Sequence, residues 1–185
     1  MVLFSKKERL ALPSAATAST AQSHTRIPPI ESPPKIEIRI LDDRVREWGL
    51  PRYHSDLAAA IDLHACLDAP LHLAPGTPAQ LIPAGIALHM NQGGMAALIV
   101  PRSGLGHKQG LVMGNLVGVI DADYTGPILV SAWNRAAMGT ADIVITPGDR
   151  IAQMIFVPIL RPEFAVVEVF SETSARGAGG FGSTG

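Results

Sequence analysis

The sequence predicts an all-β domain, a barrel or sandwich of short strands, and three observations support that fold class. Short apolar runs recur at close spacing along residues 35–170, and most of them are closed by glycine or proline. No long segment shows the 3.6-residue period of an amphipathic helix. Glycine and proline supply 18 and 15 of the 185 residues, enough for the many turns of such a fold.

The first predicted strand contains Ile36, Ile38 and Ile40, which alternate with charged residues. This period of two indicates a strand with one buried face. One short helical turn is expected, either at residues 42–47 or at residues 112–115. The next strands are predicted at residues 61–66, 71–73, 79–82, 85–90 and 96–100.

Residues 98–128 are the centre of the prediction, because they form two apolar hairpin-like segments whose polar residues are confined to turns. Glycines divide the segments, and glycine permits both positive φ and a close approach of the backbone to a ligand. We therefore expect a small polar ligand, held partly by main-chain atoms. The glycines are Gly104, Gly106, Gly110, Gly114, Gly118 and Gly126, and later strands are predicted at residues 128–133, 143–145, 151–158 and 164–170.

Both ends of the chain differ in composition from the predicted barrel domain, residues 35–170. Alanine, serine, threonine and proline dominate residues 1–34, which bury too little apolar area to offset their ordering entropy. We predict a disordered extension there, either without function or similar to a transit peptide. Residues 171–185 are rich in glycine, and composition alone indicates a mobile tail.

Charge and cysteine content limit the class of protein. The formal net charge of −1 provides no general attraction to nucleic acid or to an anionic membrane, so neither is expected as a partner. The single cysteine, Cys66, excludes an intrachain disulfide and a cysteine-based zinc site, and it fits a reducing compartment. No apolar run approaches the roughly 20 residues that span a bilayer. We expect a soluble, cytoplasmic protein.

Several common catalytic motifs are absent from the sequence. There is no P-loop and no nucleophile elbow, and the six histidines lack metal-ligand spacing. The remaining polar residues suit hydrolysis of a phosphoanhydride by an activated water, which needs little covalent help from the protein. Arg102 and Ser103 offer a cation and a hydroxyl beside glycine, a combination that favours phosphate oxygens. A surface ion pair is the alternative for Arg102.

Asp121 is the candidate catalytic residue. An ionised carboxylate held one hydrogen bond from a water can align that water and accept its proton. A purely structural alternative stays open, in which Asp121 and Asp123 stabilise a turn and Tyr124 is an ordinary half-exposed aromatic residue.

Five segments, in the order of the family's motifs, resemble the trimeric dUTPases (deoxyuridine 5′-triphosphate nucleotidohydrolases). Residues 101–106 (PRSGLG) and 114–124 (GNLVGVIDADY) are similar to the second and third motifs. Residues 148–153 (GDRIAQ) and 176–185 (RGAGGFGSTG) are similar to the fourth and fifth, and residues 60–63 (AIDL) more weakly to the first. The resemblance covers about residues 35–185. It implies a jelly-roll-like distorted β-barrel with a short helical turn and a swapped C-terminal arm.

The resemblance implies hydrolysis of dUTP to dUMP and pyrophosphate by attack of water on the α-phosphorus. Such an activity limits uracil in DNA and supplies dUMP for dTMP synthesis. Asp121 would orient the water and contact the deoxyribose 3′-hydroxyl. Arg102, Ser103, Gly104 and Gln153 would contact the phosphates, and Ser103 would lie near the reacting phosphorus.

The resemblance also implies how the nucleoside is recognised. Asn115 and the main chain of Val119 and Ile120 would pair with the imide edge of uracil. Tyr124 would lie against C2′ of the sugar, where a ribose hydroxyl would clash. Leu129 would add a main-chain contact.

The resemblance further implies Mg²⁺, a homotrimer with shared active sites, and a closing arm. The triphosphate and water would hold the Mg²⁺, without direct protein ligands, and Asp62 would contribute through water. A structural role is the alternative for Asp62. The arm would come from a neighbouring subunit and close over the substrate. Its substrate-binding residues would be Arg176, Phe181, Gly182, Ser183 and Thr184.

Two other functions stay open, and the sequence departs from the family pattern at one place. A dCTP deaminase would carry a catalytic glutamate where this chain has the turn around Asp121, and a non-catalytic nucleotide-binding protein would not need Asp121 and Tyr124. Residues 57–60 (LAAA) replace a run similar to Gly-Ser-Ala-Gly, so either the local turn differs or stability is lost. Asp149 and Arg150 are expected to form a structural ion pair.

Overall fold

The structure, a computed structural model, describes residues 33–91, 93–172 and 177. The chain divides between Pro34 and Lys35, and every element below lies in the second part. Most elements are short strands joined by turns. They are β1 (Glu37–Ile40), α1 (Arg44–Trp48), β2 (Ile61–His64), β3 (Leu71–Leu73), β4 (Gln80–His89), β5 (Met95–Pro101), a π-helix (Leu105–Gln109), β6 (Leu111–Met113), β7 (Gly118–Ile120), β8 (Pro127–Asn134), β9 (Ile143–Ile145) and β10 (Arg150–Pro158).

The strands form two four-stranded sheets and one pair. One sheet has the order β1-β4-β8-β6, the other has the order β2-β10-β5-β7, and β3 pairs with β9. All pairs are antiparallel, and most neighbours in a sheet are distant in sequence. This arrangement is typical of a jelly roll. The predicted fold class, an all-β jelly-roll-like barrel, is confirmed.

The core lies between the two large sheets, and β8 shows how the sequence builds it. Ile128 and Val130 are buried in a cluster with Leu63 and Ile99 of the other sheet, while Leu129 faces outward. Burial of each such side chain contributes about 1.5–3 kcal/mol. Side chains in a strand alternate between faces, so the period of two in the sequence translates directly into one buried face.

Most strand predictions are confirmed, and two of them merge. Residues 79–82 and 85–90 belong to one strand, β4, whose pairing register with β8 shifts between Pro83 and Ala87. Gly85 has a φ of 70°, and a Cβ there would collide with the sulfur of Cys66 and with Val45. The glycine therefore marks a bulge within a strand rather than a turn between two strands.

The helical turn predicted at residues 42–47 is confirmed by α1, whereas residues 112–115 are not helical. The π-helix after Gly104 was not predicted, because five residues are too few to show helical periodicity. Within the described part of the chain, no helix is long and apolar enough to span a membrane.

The strand predicted at residues 164–170 is wrong. This segment pairs with no strand of the described chain, and Phe164, Val166 and Phe170 are almost fully exposed. Apolar residues with a period of two indicate that one face of a segment would be buried. A strand also needs a neighbouring strand for its main-chain hydrogen bonds.

Candidate active site

Sheet order brings distant residues together at one end of β10. β10 lies between β2 and β5, with Gln153 opposite Asp62 on one side and opposite Val100 on the other. The loop after Pro101 therefore begins beside Asp62. The motif residues Arg102 and Ser103 belong to this loop.

The carboxylate of Asp62 holds two arginines. Its Oδ1 lies 2.8 Å from Nε of Arg102 in an ion pair, and its Oδ2 accepts a hydrogen bond from Nη1 of Arg150 at 3.1 Å. Nε2 of His54 lies 3.3 Å from the same Oδ2. Asp62 is only 13% exposed, so these interactions are screened less than surface pairs. Arg102 also donates to the carbonyl of Arg150 at 3.1 Å, which fixes the plane of its guanidinium.

The ion pair expected between Asp149 and Arg150 is not formed. Arg150 reaches across to Asp62, and Oδ2 of Asp149 instead accepts the N–H of Thr146 at 2.7 Å. Asp149 closes the turn between β9 and β10, a use for which aspartate is well suited.

A cavity of about 320 Å³, here called the arginine cavity, opens over these residues. Nε2 of Gln153 donates to the carbonyl of Pro101 at 2.9 Å, which fixes its amide beside Arg102. Four of the predicted phosphate-binding residues and Asp62 therefore meet here, together with three residues that the prediction missed. The lining residues are Asp62, Arg102, Ser103, Gly104, Leu105, Lys108, Gln109 and Gln153.

A second cavity of about 220 Å³, here called the tyrosine cavity, lies at the hairpin of β7 and at the start of β8. It gathers the candidate catalytic residue and most of the residues expected to recognise the nucleoside. Pro127 is an addition that the sequence did not predict. The lining residues are Val119, Ile120, Asp121, Tyr124, Pro127 and Leu129.

Tyr124 is fixed by the turn that carries Asp121. Its hydroxyl donates to the carbonyl of Pro127 at 3.0 Å, and its N–H donates to the carbonyl of Asp121 at 3.1 Å. The ring lies against Gly126, where a Cβ would come within 2.7 Å of Cζ. Gly126 is thus required for close packing, and the turn places a phenol and a carboxylate on the same cavity.

Asn115 does not line the tyrosine cavity. It lies in the exposed turn between β6 and β7, next to Leu116, which has a φ of 64°. A non-glycine residue in this region costs about 1–3 kcal/mol. Of the six glycines expected to permit positive φ, only Gly110 adopts it, with a φ of 82°.

The departure at residues 57–60 causes no backbone strain in this structure. Among the described non-glycine residues only Asn91 and Leu116 have positive φ, so the local turn accommodates Leu57 and the alanines after it. The N–H of Ala58 donates to the carbonyl of Ser55 at 3.1 Å within that turn.

Burial shifts the pKa values of two groups, His64 and Cys66. It lowers the pKa of His64, two residues after Asp62, so the imidazole favours its neutral form. His64 lies against Trp48, with ring centroids 6.1 Å apart. Burial also raises the pKa of Cys66 to about 11, which keeps this thiol protonated and inert, as expected for a small apolar core residue.

The two cavities of one chain lie far apart. In the antiparallel pair of β5 and β7, Ile120 is opposite Ala97, so Asp121 is level with Ala96. Arg102 follows Pro101, the last residue of β5, which lies five residues beyond Ala96, a distance of about 17 Å at the rise of a strand. No residue lines both cavities.

The predicted substrate-binding residues of the C-terminal arm lie outside the part of the chain that the structure describes. Arg176, Phe181, Gly182, Ser183 and Thr184 lie outside the described residues, as does most of the extension at residues 1–34. Within the described part of the chain, no three residues of the types His, Cys, Asp and Glu form a group that could hold a metal ion.

The fold and the two cavities define an all-β protein with a cationic site suited to phosphate groups and a separate carboxylate and phenol site. The family model described as dUTPase matches residues 46–185. The deoxyuridine 5′-triphosphate nucleotidohydrolase of Paraburkholderia xenovorans is 54% identical over 151 residues, which cover 82% of this chain and 98% of the relative. The corresponding protein of Serratia proteamaculans is 53% identical, with coverage of 82% and 97%. The chain therefore belongs to the dUTPase family.

Solved structures agree on the fold. The dUTPase of Staphylococcus bacteriophage 80alpha with dUPNHPP is 25% identical, has a TM-score of 0.67, and matches 82% of this chain and 98% of its own. A mutant dUTPase from phage phi11 of S. aureus, described with a structural Mg(II) ion, is 24% identical with a TM-score of 0.62. That match covers 75% of this chain and 99% of the phage chain.

Proposed function

We propose that the protein is a dUTP diphosphatase, which hydrolyses dUTP to dUMP and pyrophosphate by attack of water on the α-phosphorus. The main support is that Asp121 and Tyr124 line one cavity in a chain 54% identical to a named dUTP nucleotidohydrolase. This activity would limit uracil in DNA and supply dUMP for dTMP synthesis. We propose a cytoplasmic location, since the one cysteine is a buried thiol, which suits a reducing compartment.

Asp121 orients the attacking water and accepts its proton. Its carboxylate is exposed, and no hydrogen bond or ion pair joins it to another described residue. Its acceptor positions are therefore available to water and to the sugar 3′-hydroxyl. Because the main chain fixes the turn, the carboxylate can be placed without a side-chain partner that would compete for the water.

The tyrosine cavity selects deoxyuridine. The fixed ring of Tyr124 excludes a ribose 2′-hydroxyl by its volume and offers that hydroxyl no hydrogen bond. The main chain of Val119 and Ile120 pairs with the imide edge of uracil. Cytosine inverts that pattern of donors and acceptors, and each buried group left unpaired costs roughly 1–3 kcal/mol. Asn115 assists from the neighbouring turn, and Leu129 adds a contact from β8.

The arginine cavity binds the phosphates. Arg102, already oriented by Asp62, has further N–H groups for phosphate oxygens, and the loop of Ser103 and Gly104 adds a hydroxyl and main-chain donors. Gln153 lies beside them with a fixed amide.

Each active site is shared between subunits of a homotrimer. Asp121 and Ser103 must both approach the α-phosphorus, yet in one chain Asp121 is level with the start of β5 and Ser103 follows its end, about 17 Å further along that strand. The outer face of one sheet is apolar and exposed at Leu81, Leu129 and Trp133, which suits a subunit interface. The exposed apolar segment 164–170 also suits packing on a second chain, and it leads to the arm that would close the site, with Arg176, Phe181, Gly182, Ser183 and Thr184 on the substrate.

Magnesium binds with the substrate. The described residues provide no protein cage, and both carboxylate oxygens of Asp62 already face arginines. In this proposal the triphosphate and water are the donors for Mg²⁺, and any contact from Asp62 is through water. When bound, the ion neutralises phosphate charge that a chain of formal net charge −1 cannot balance.

The activity is tested with dUTP, dCTP, dTTP and UTP, each with Mg²⁺. Pyrophosphate should appear from dUTP alone. Ammonia from dCTP would assign the chain to the deaminases, and binding without any turnover would leave a non-catalytic nucleotide-binding protein.

Shared sites are tested by complementation. Two inactive variants, Asp121→Asn and Ser103→Ala, are mixed, dissociated and reassembled. Activity should return, because some sites then combine an intact Asp121 from one chain with an intact Ser103 from another. Mixtures that stay inactive, while each variant alone assembles normally, would show that one chain builds the whole site.

A further inference from the structure

Lys108 is the lining residue of the arginine cavity that the function proposed above does not use. It lies near the end of the π-helix Leu105–Gln109, which follows directly on Arg102, Ser103 and Gly104. π-Helical turns occur frequently at functional sites, since they widen a helix locally and change where side chains point. Here Leu105, Lys108 and Gln109 line the same cavity as the phosphate-binding loop.

The charged side chains around the cavity differ in whether they already form ion pairs within the protein. Asp62 pairs with Arg102 at 2.8 Å and with Arg150 at 3.1 Å, so one carboxylate offsets part of the charge of two guanidiniums. Arg102 also uses an N–H on the carbonyl of Arg150. The ammonium group of Lys108, in contrast, makes no hydrogen bond or ion pair with any described residue.

An unpaired ammonium at a cavity that must hold several phosphate charges has three donors available for them. It lies about one helical turn beyond Ser103. With Ser103 beside the α-phosphate, as proposed above, an ammonium about one helical turn away in the same cavity is within reach of the phosphates beyond it.

We propose that Lys108 is a substrate-binding residue for the terminal, pyrophosphate part of the nucleotide, and that it contributes little to the binding of dUMP. This inference rests on the proposed hydrolysis of dUTP and deepens it. Lys108 stabilises the β- and γ-phosphates in the substrate and the same groups in the departing pyrophosphate.

The test compares Lys108→Gln with Lys35→Gln in the full chain. Lys35 is an exposed lysine before β1 and lines none of the cavities described above, so it is a matched control for the loss of one positive charge. For Lys108→Gln, the KM for dUTP and the dissociation constant of inorganic pyrophosphate should each rise about tenfold, the effect of one charge-assisted hydrogen bond. The inhibition constant of dUMP should stay within about twofold of the unchanged protein, because dUMP lacks the groups in question.

Lys108→Arg provides a second variant, which should keep pyrophosphate binding because it keeps the charge. Unchanged pyrophosphate binding in Lys108→Gln would overturn the inference. An equal loss of dUMP and pyrophosphate binding would also overturn it, since the lysine would then act on the whole cavity. Pyrophosphate binding, measured by calorimetry, does not depend on turnover, so this result is separate from a failure of the unchanged protein to hydrolyse dUTP.

Discussion

The arginine cavity and the tyrosine cavity differ in what holds their charged side chains. In the arginine cavity, Asp62 orients Arg102 through an ion pair between segments far apart in sequence, and it also pairs with Arg150, which does not line the cavity. In the tyrosine cavity, Asp121 has no side-chain partner among the described residues, and main-chain bonds of its own turn position it. The cation that lines the arginine cavity is therefore oriented before any ligand binds, whereas the carboxylate of the tyrosine cavity is free to contact water.

Replacing the free carboxylate should have the largest effect. Asp121→Asn keeps the size of the side chain but cannot accept a proton, so kcat for dUTP should fall about 10²–10⁴-fold while dUMP still binds. Steady-state kinetics and calorimetry measure the two quantities. Asp123→Asn is the control, because Asp123 is an exposed neighbour in the same turn and does not line the cavity. Equal losses in both variants would mean that the turn, and not the carboxylate, supports turnover.

Removing the carboxylate of Asp62 should weaken substrate binding indirectly, through the arginines that it orients. In Asp62→Asn both guanidiniums lose their counter-charge, so the KM for dUTP should rise about tenfold as Arg102 becomes mobile. The free energy of unfolding should fall by about 1 kcal/mol, since the arginines are partly exposed. Asp142→Asn, which alters a weak pair with His72 at 3.7 Å, is the control. A loss confined to kcat would contradict an orienting role for Asp62.

Crowding the ring of Tyr124 tests a side chain that main-chain packing, rather than charge, holds in position. Gly126→Ala places a methyl against the ring, and the free energy of unfolding should fall by about 1–3 kcal/mol. The preference for dUTP over UTP should fall roughly fivefold as the ring moves from its position. Gly94→Ala is the control, since no atom lies within 4 Å of a Cβ there. An unchanged dUTP preference would remove Tyr124 from sugar selection.

The smallest expected effect is a pH dependence of stability caused by His64, two residues after Asp62. Burial lowers the pKa of His64 in the folded state below its ordinary value of 6.5. The unfolded chain therefore binds the proton more readily, and stability should decline as the pH falls below about 6.5. Thermal melts at several pH values should show a shallower decline for His64→Gln than for the unchanged protein. The exposed His72→Gln should leave the slope unchanged.

The prediction from sequence was accurate where local pattern and physical constraint coincide. Period-two runs such as the one at Ile128 and Val130 became strands because one face had a core to join. The strand prediction was wrong at residues 164–170, where the apolar pattern is present but no strand of the described chain pairs with the segment. The π-helix that carries Lys108 was missed because its five residues are too few to show a helical period.

The all-β class, most of the turns and the two local groups at residues 102–104 and 121–124 could be read from the sequence, because these depend on residues close together in the chain. The tertiary structure was needed to show that Asp62 joins Arg102 and Arg150, that Asp149 serves a turn instead, and that the two cavities of one chain lie apart. These contacts depend on strand order across a sheet, which is a global outcome of packing. The neighbours of β10 are β2 and β5, and no local pattern encodes that choice.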